Sequence, residues 1–238
     1  MMPMAWQGGD DRSVMEPAVG PLPPHVGRRL TAFRAAGVAG LAFAVLMTVA
    51  LVLMRDEPPS SAALFAAWWE AYAPRLFAAV YIIPFAGIAF LWLLAALRRR
   101  IGRNEDQFYA TVLLGSGLLF VAMLFATAAA ATVTSVGSEL SDEAAYDAFV
   151  VGRTMGRAFF YVFAIKMAAA FMLVSSTIIR QTRIMPRWFS AVGLVAGIVL
   201  LVTITAFEPV ALVFPAWVAT LSVLLLRADE AEAAATRG

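Results

Sequence analysis

Cysteine is absent from this 238-residue chain, histidine and lysine occur once each, and only 14% of the residues are charged. Without cysteine there is no disulfide, thiolate nucleophile, Cys-ligated zinc or iron–sulfur cluster. The single histidine, His25, precedes the first apolar stretch, which excludes paired-histidine haem ligation within a bundle, His-based metalloprotease sites and an intramembrane Ser–His dyad. No group of carboxylates with metal-ligand spacing falls inside an apolar segment, so no metal or cofactor is expected. No nucleic-acid partner is expected either. Seventeen of the 18 basic residues are arginine, a usage that together with abundant alanine suggests a GC-rich, bacterial source.

What is abundant is apolar surface. Hydrophobic residues make up 62% of the chain and the mean hydropathy is +0.81. Soluble domains carry about 25% charged residues, so the charge deficit points to a membrane. Six stretches of about 20 residues, the length a bilayer core requires, read as spans at about 30–54, 75–97, 109–135, 158–179, 188–207 and 209–226. The expected fold is an all-α, polytopic bundle of six transmembrane helices over residues 30–227. Residues 1–29, rich in Gly, Pro and acidic positions, read as a flexible cytoplasmic tail with no secretory signal, and 228–238 as a second cytoplasmic tail.

Basic residues set the orientation. With the N-terminus inside, thirteen arginines lie inside and four (Arg55, Arg75, Arg153 and Arg157) lie outside. Both termini are therefore expected in the cytoplasm, and the protein in a bacterial cytoplasmic membrane.

The connections carry local signals. Ala62–Tyr72, with Trp68, Trp69 and Tyr72, suits a short helix in the outer interface, since amphipathic rings prefer headgroup depth. Ser141 followed by Asp142 and Glu143 predicts an N-cap, from which a helix could run on into the fourth span. Asn104-Glu105-Asp106-Gln107 fits a capping box at the start of the third span.

The block Pro84-Phe85-Ala86-Gly87-Ile88-Ala89-Phe90-Leu91-Trp92 is followed by Arg98, Arg100, Gly102 and Glu105-Asp106, and then by Leu113-Leu114-Gly115-Ser116-Gly117-Leu118-Leu119-Phe120. Over residues 80–125 this resembles a group of uncharacterised bacterial six-span integral membrane proteins. The resemblance implies a bacterial membrane protein and supplies no activity and no site residue.

Lys166 is the sharpest candidate for function. It lies within Phe163–Ala170, otherwise apolar, where a lysine costs about 2.5–3.5 kcal/mol and needs a partner or a wet path. Counting ~1.5 Å per residue places it about 21 Å from the inner boundary, and Glu208 about 28 Å, so a Lys166–Glu208 pair is expected on depth. Tyr81, Pro84, Tyr161, Thr127, Thr203 and Thr205 fall in the same outer half and complete a candidate cleft. Pro84 and Pro215 are each expected to kink a span. Arg153 and Arg157 stand one turn apart, suited to pairing with Asp147 and its acidic neighbours or to drawing in an anionic headgroup. Gly193 and Gly197 form a GxxxG, a close-packing signal for a neighbouring helix or a second chain. The candidate binding residues are therefore Lys166, Glu208, Tyr81, Pro84, Tyr161 and Arg157.

Three functions remain open at this point. The first is non-enzymatic binding or transport of a small molecule or lipid through the outer-half cleft. The second is an accessory subunit bound to a membrane-protein partner or to its own copies. The third is a lipid-modifying enzyme, for which no catalytic residue stands out.

Overall fold

The computed structural model describes residues 27–101, 107–133, 141–182, 185–203 and 208–235, with side chains described throughout these except at 27–33, 99–101, 142, 208, 229 and 231–235. Asn104, Glu105 and Asp106 of the expected capping box lie outside these residues, as does the expected tail before Gly27. The helices are α1 (Gly27–Leu53), α2 (Phe65–Ile101, entered through a 3₁₀ turn at Ala62–Leu64), α3 (Gln107–Thr132) and α4 (Asp142–Arg157). They continue with a π-helical segment (Ala158–Ala164), α5 (Ile165–Thr182), α6 (Arg187–Val202), α7 (Glu208–Ala211) and α8 (Val213–Ala235). The described residues contain no strand.

Five of these apolar stretches are long enough to cross a bilayer, which marks a multi-pass membrane protein. The expected span at 188–207 is shorter than the rest. At 16 residues, α6 rises only about 24 Å, less than the ~30 Å of a hydrocarbon core.

Two rods are longer than a membrane requires. α2 has 37 residues, about 55 Å, and the apolar run Glu143–Thr182 has 40, about 60 Å. The residues expected to form a separate interfacial helix, Ala62–Tyr72, are instead continuous with the second span. Pro74 and Pro84 sit inside α2 without ending it. The start of α4 follows the expectation: Ser141 is the N-cap and its Oγ accepts from the Ala144 N–H at 3.4 Å.

Proline acts differently in the last span. Pro215 is the third residue of α8, and its ring excludes the carbonyl four residues earlier. That carbonyl belongs to Ala211, where α7 stops; a turn at Leu212 follows, and the Ala216 N–H bonds the Leu212 carbonyl at 3.0 Å. Pro215 thus separates α7 from α8 rather than kinking a continuous span.

The bundle closes around five phenylalanines, one from each of α1, α2, α3, α5 and α8: Phe43, Phe90, Phe120, Phe171 and Phe214. All are fully buried. Phe120 and Phe214 meet edge to face at 4.9 Å, Phe90 and Phe171 at 5.1 Å, and Phe43 and Phe214 at 5.7 Å. Edge-to-face rings gain from their quadrupoles beyond simple burial. Such packing matters in lipid, where hydrophobic burial no longer favours helix association.

Candidate functional site: an apolar cavity with a guanidinium rim

α2 and α4 overrun the bundle at the same end, and their overrun is aromatic. Phe65, Trp68, Trp69 and Tyr72 on α2 meet Tyr146 and Phe149 on α4. Trp68 stacks on Tyr72 at 4.3 Å, Phe65 on Trp69 at 5.7 Å, and Phe149 stands perpendicular to Tyr72 at 6.2 Å. This second apolar core explains why Ala62–Tyr72 extends the helix: Phe65 and Tyr72 are buried and Trp68 and Trp69 half-buried against α4, so they need not lie along a membrane surface.

The loop from α1 is tied to the same end. The Arg153 guanidinium donates to the Asp56 carbonyl at 2.8 Å, and Arg75 pairs with the Asp56 carboxylate at 2.6 Å. The Arg75–Asp56 pair is about half exposed, so it contributes about 1 kcal/mol at most.

Between the aromatic cap and the phenylalanine core lies a cavity of about 250 Å³. Its walls come from five elements: Met47, Ala50 and Leu51 of α1, Leu76 and Ile83 of α2, Leu124 and Thr127 of α3, the α4 and π face, and Ala211 of α7. α4 and the π-helical segment contribute a periodic row of Phe149, Gly152, Arg153, Gly156, Arg157, Phe160 and Tyr161. Spacings of three and four residues place one helix face along the cavity. Gly152 and Gly156 keep that face low between the larger side chains, while toward α3 a Cβ added at Gly156 would make only ordinary contact with the Thr127 carbonyl, at 3.5 Å.

The lower part of that row is π-helical. The Ile165 N–H bonds the Phe160 carbonyl five residues back, and π turns of this kind often occur at functional sites. Arg157, just before it, lies over the Tyr161 ring at 5.4 Å, a cation–π contact across one turn. Arg55, Arg153 and Arg157 together give the cavity a cationic rim, with Tyr72, Tyr161 and Thr127 as further polar groups in an otherwise apolar wall. Such a wall fits the general form of ligand pockets, apolar with a few placed polar groups.

The candidate residues from sequence separate into groups. Tyr161 and Arg157 line the cavity, and so does Thr127. Tyr81 is 72% exposed and Pro84 is exposed, both on the outer face of α2, while their neighbour Ile83 faces the cavity. The Glu208 side chain lies outside the described residues.

Lys166 lies one turn beyond the cavity wall, on α5, with a different task. Its ammonium donates to the Leu200 carbonyl at 3.0 Å and to the Thr203 carbonyl. These carbonyls end α6, and the last carbonyls of any helix lack intrahelical donors. In hydrocarbon each such orphan costs several kcal/mol. The lysine and the short helix therefore solve each other's problem, and the charge also suits the negative end of the α6 dipole. The GxxxG of α6 is used within the chain as well, since Gly193 faces Ser176 and Trp217, and Gly197 faces Leu173 and the Ala169 carbonyl.

Sequence reasoning did not assign Arg55, Tyr72, Phe149 or Met47 to a site. The periodic row from Phe149 to Tyr161, with two glycines on one face, is the signal that points to them.

No protein-family model, no curated protein and no solved structure matches the chain. Fold and site alone define its class: a multi-pass, all-helical membrane protein with a ligand-sized cavity near one end.

Proposed function

We propose that this protein is a non-enzymatic binding protein of a bacterial cytoplasmic membrane that takes up a small apolar molecule or lipid in the cavity beneath its aromatic cap. The cavity carries this reading: it is largely apolar, close to the ~300 Å³ lower end of small-molecule sites, with an arginine rim and a few polar groups in its wall. Orientation by the arginine count puts both termini in the cytoplasm and the cavity on the outer side. The alternative of an accessory subunit rests on small-residue faces seeking a partner. Gly37, Gly40, Gly193 and Gly197 all face neighbours in this same chain, which favours binding.

Native mass spectrometry tests the reading. Protein extracted in mild detergent is expected to retain one lipid-sized adduct, and Ala50→Phe, which places a ring on the cavity wall, is expected to lose it while keeping its helicity. Absence of any adduct on the wild-type protein, or one retained equally by Ala50→Phe, counts against the cavity.

A further inference from the structure

The cavity of the preceding section, if it is a binding site, has walls and a rim that define the chemistry of its occupant. Its floor and sides are Met47, Leu76, Ile83, Leu124 and Phe160, which offer no hydrogen-bonding side-chain group to a ligand. At about 250 Å³ the space admits one acyl chain segment and not the paired chains of a phospholipid. The rim has the opposite character. Neither Arg55 nor Arg157 makes an ion pair with a described residue, and Arg157 lies over the Tyr161 ring. The acid closest in sequence to Arg55, Asp56, has its carboxylate engaged by Arg75 and its carbonyl by Arg153. Among the described residues the rim thus presents net positive charge at the mouth of an apolar slot, with Arg55 exposed and Arg157 half-buried, placed for charge-assisted hydrogen bonds to an anionic head.

We infer that the ligand is a single-chain anionic amphiphile, its carboxylate or phosphate head held between Arg55 and Arg157 and its chain running down past Ile83 and Leu124. The inference rests on the binding reading and adds the head-group chemistry. Guanidinium forks match carboxylate and phosphate oxygens in pairs, so both head types share the same recognition.

Photolabelling in nanodiscs of zwitterionic lipid tests this with defined probes. Dodecanoate carrying a diazirine near its chain end is expected to label Met47, Ile83 and Leu124 saturably, as mapped by peptide mass spectrometry. Unlabelled dodecanoate or dodecyl phosphate should compete at least tenfold better than dodecanol, and the stronger of the two acids identifies the head. In Arg55→Gln/Arg157→Gln the preference for acid over alcohol should vanish while residual labelling of the cavity persists. Arg55→Gln alone, away from the helix packing, should lower the preference partway and covers the case where the double variant fails to fold. Equal competition by dodecanol in the wild type, or a preference unchanged in both variants, overturns the anion clamp and leaves the cavity as a site for neutral chains. Labelling confined to lipid-facing positions such as Tyr81 and Trp92, with every probe, overturns the binding reading itself.

Discussion

Lys166 is the residue whose chemistry most constrains the rest. An ammonium in an apolar helix must be paired, and it is paired with backbone carbonyls at the end of α6. Lys166→Met should leave both carbonyls without a donor, at a cost on the order of 1–3 kcal/mol. The expected result is a lower melting temperature in nanodiscs and faster hydrogen exchange near Val202, with cavity labelling retained. A melting temperature and exchange pattern equal to wild type would remove the capping role. The importance of this lysine was legible in sequence because no other lysine occurs and its surroundings are apolar. Its partner was not, because a carbonyl belongs to every residue and leaves no mark on the sequence. Glu208, the partner expected among side chains, has its side chain outside the described residues. At the bundle centre, Phe120→Ala opens a void among five packed rings and should cost about 3–5 kcal/mol, read by thermal unfolding.

Elements explain how the site comes to exist. α2 and the continuous run from α4 through α5 exceed the membrane thickness, and only because they do can their aromatic ends meet and roof a cavity. The N-cap at Ser141 made the start of α4 readable. The continuity of α2 was masked by Pro74 and by the tryptophans, which suit an interface as well as they suit burial against a partner helix. The register of α4 gives the cavity its face, with Gly152 and Gly156 as its low positions. α6 is held to α5 by close approach: a Cβ on Gly193 would crowd Ser176 and the Trp217 indole nitrogen, and one on Gly197 would meet Leu173 at 2.9 Å. Gly193→Val should therefore separate the helices at a cost of about 1–3 kcal/mol, seen as a lowered melting temperature with the same oligomeric state by light scattering. A changed oligomeric state with unchanged melting would assign the glycines to an interface between copies instead.

For the whole molecule, the structure shows a pocket under an aromatic roof, above a phenylalanine-packed bundle, and the proposed orientation by arginine count turns that pocket outward. The all-helical class and the presence of several membrane-length apolar helices followed from apolar run length, which physics ties closely to bilayer thickness. The cavity did not follow, since it depends on where five separate elements fail to fill space. The absence of cysteine makes topology directly measurable. A membrane-impermeant maleimide should label Ser60→Cys in intact cells and Gln181→Cys only after permeabilisation, both positions being exposed; the reverse pattern would turn the cavity toward the cytoplasm.

The most direct measurement of the central claim is a high-resolution cryo-electron microscopy map of the protein in native lipid, read for density in this cavity. The account predicts one elongated feature between Met47, Ile83 and Leu124, with its head within hydrogen-bonding distance of Arg157 and Arg55. A cavity closed by its own side chains, or one empty while ordered density sits elsewhere on the bundle, would contradict it.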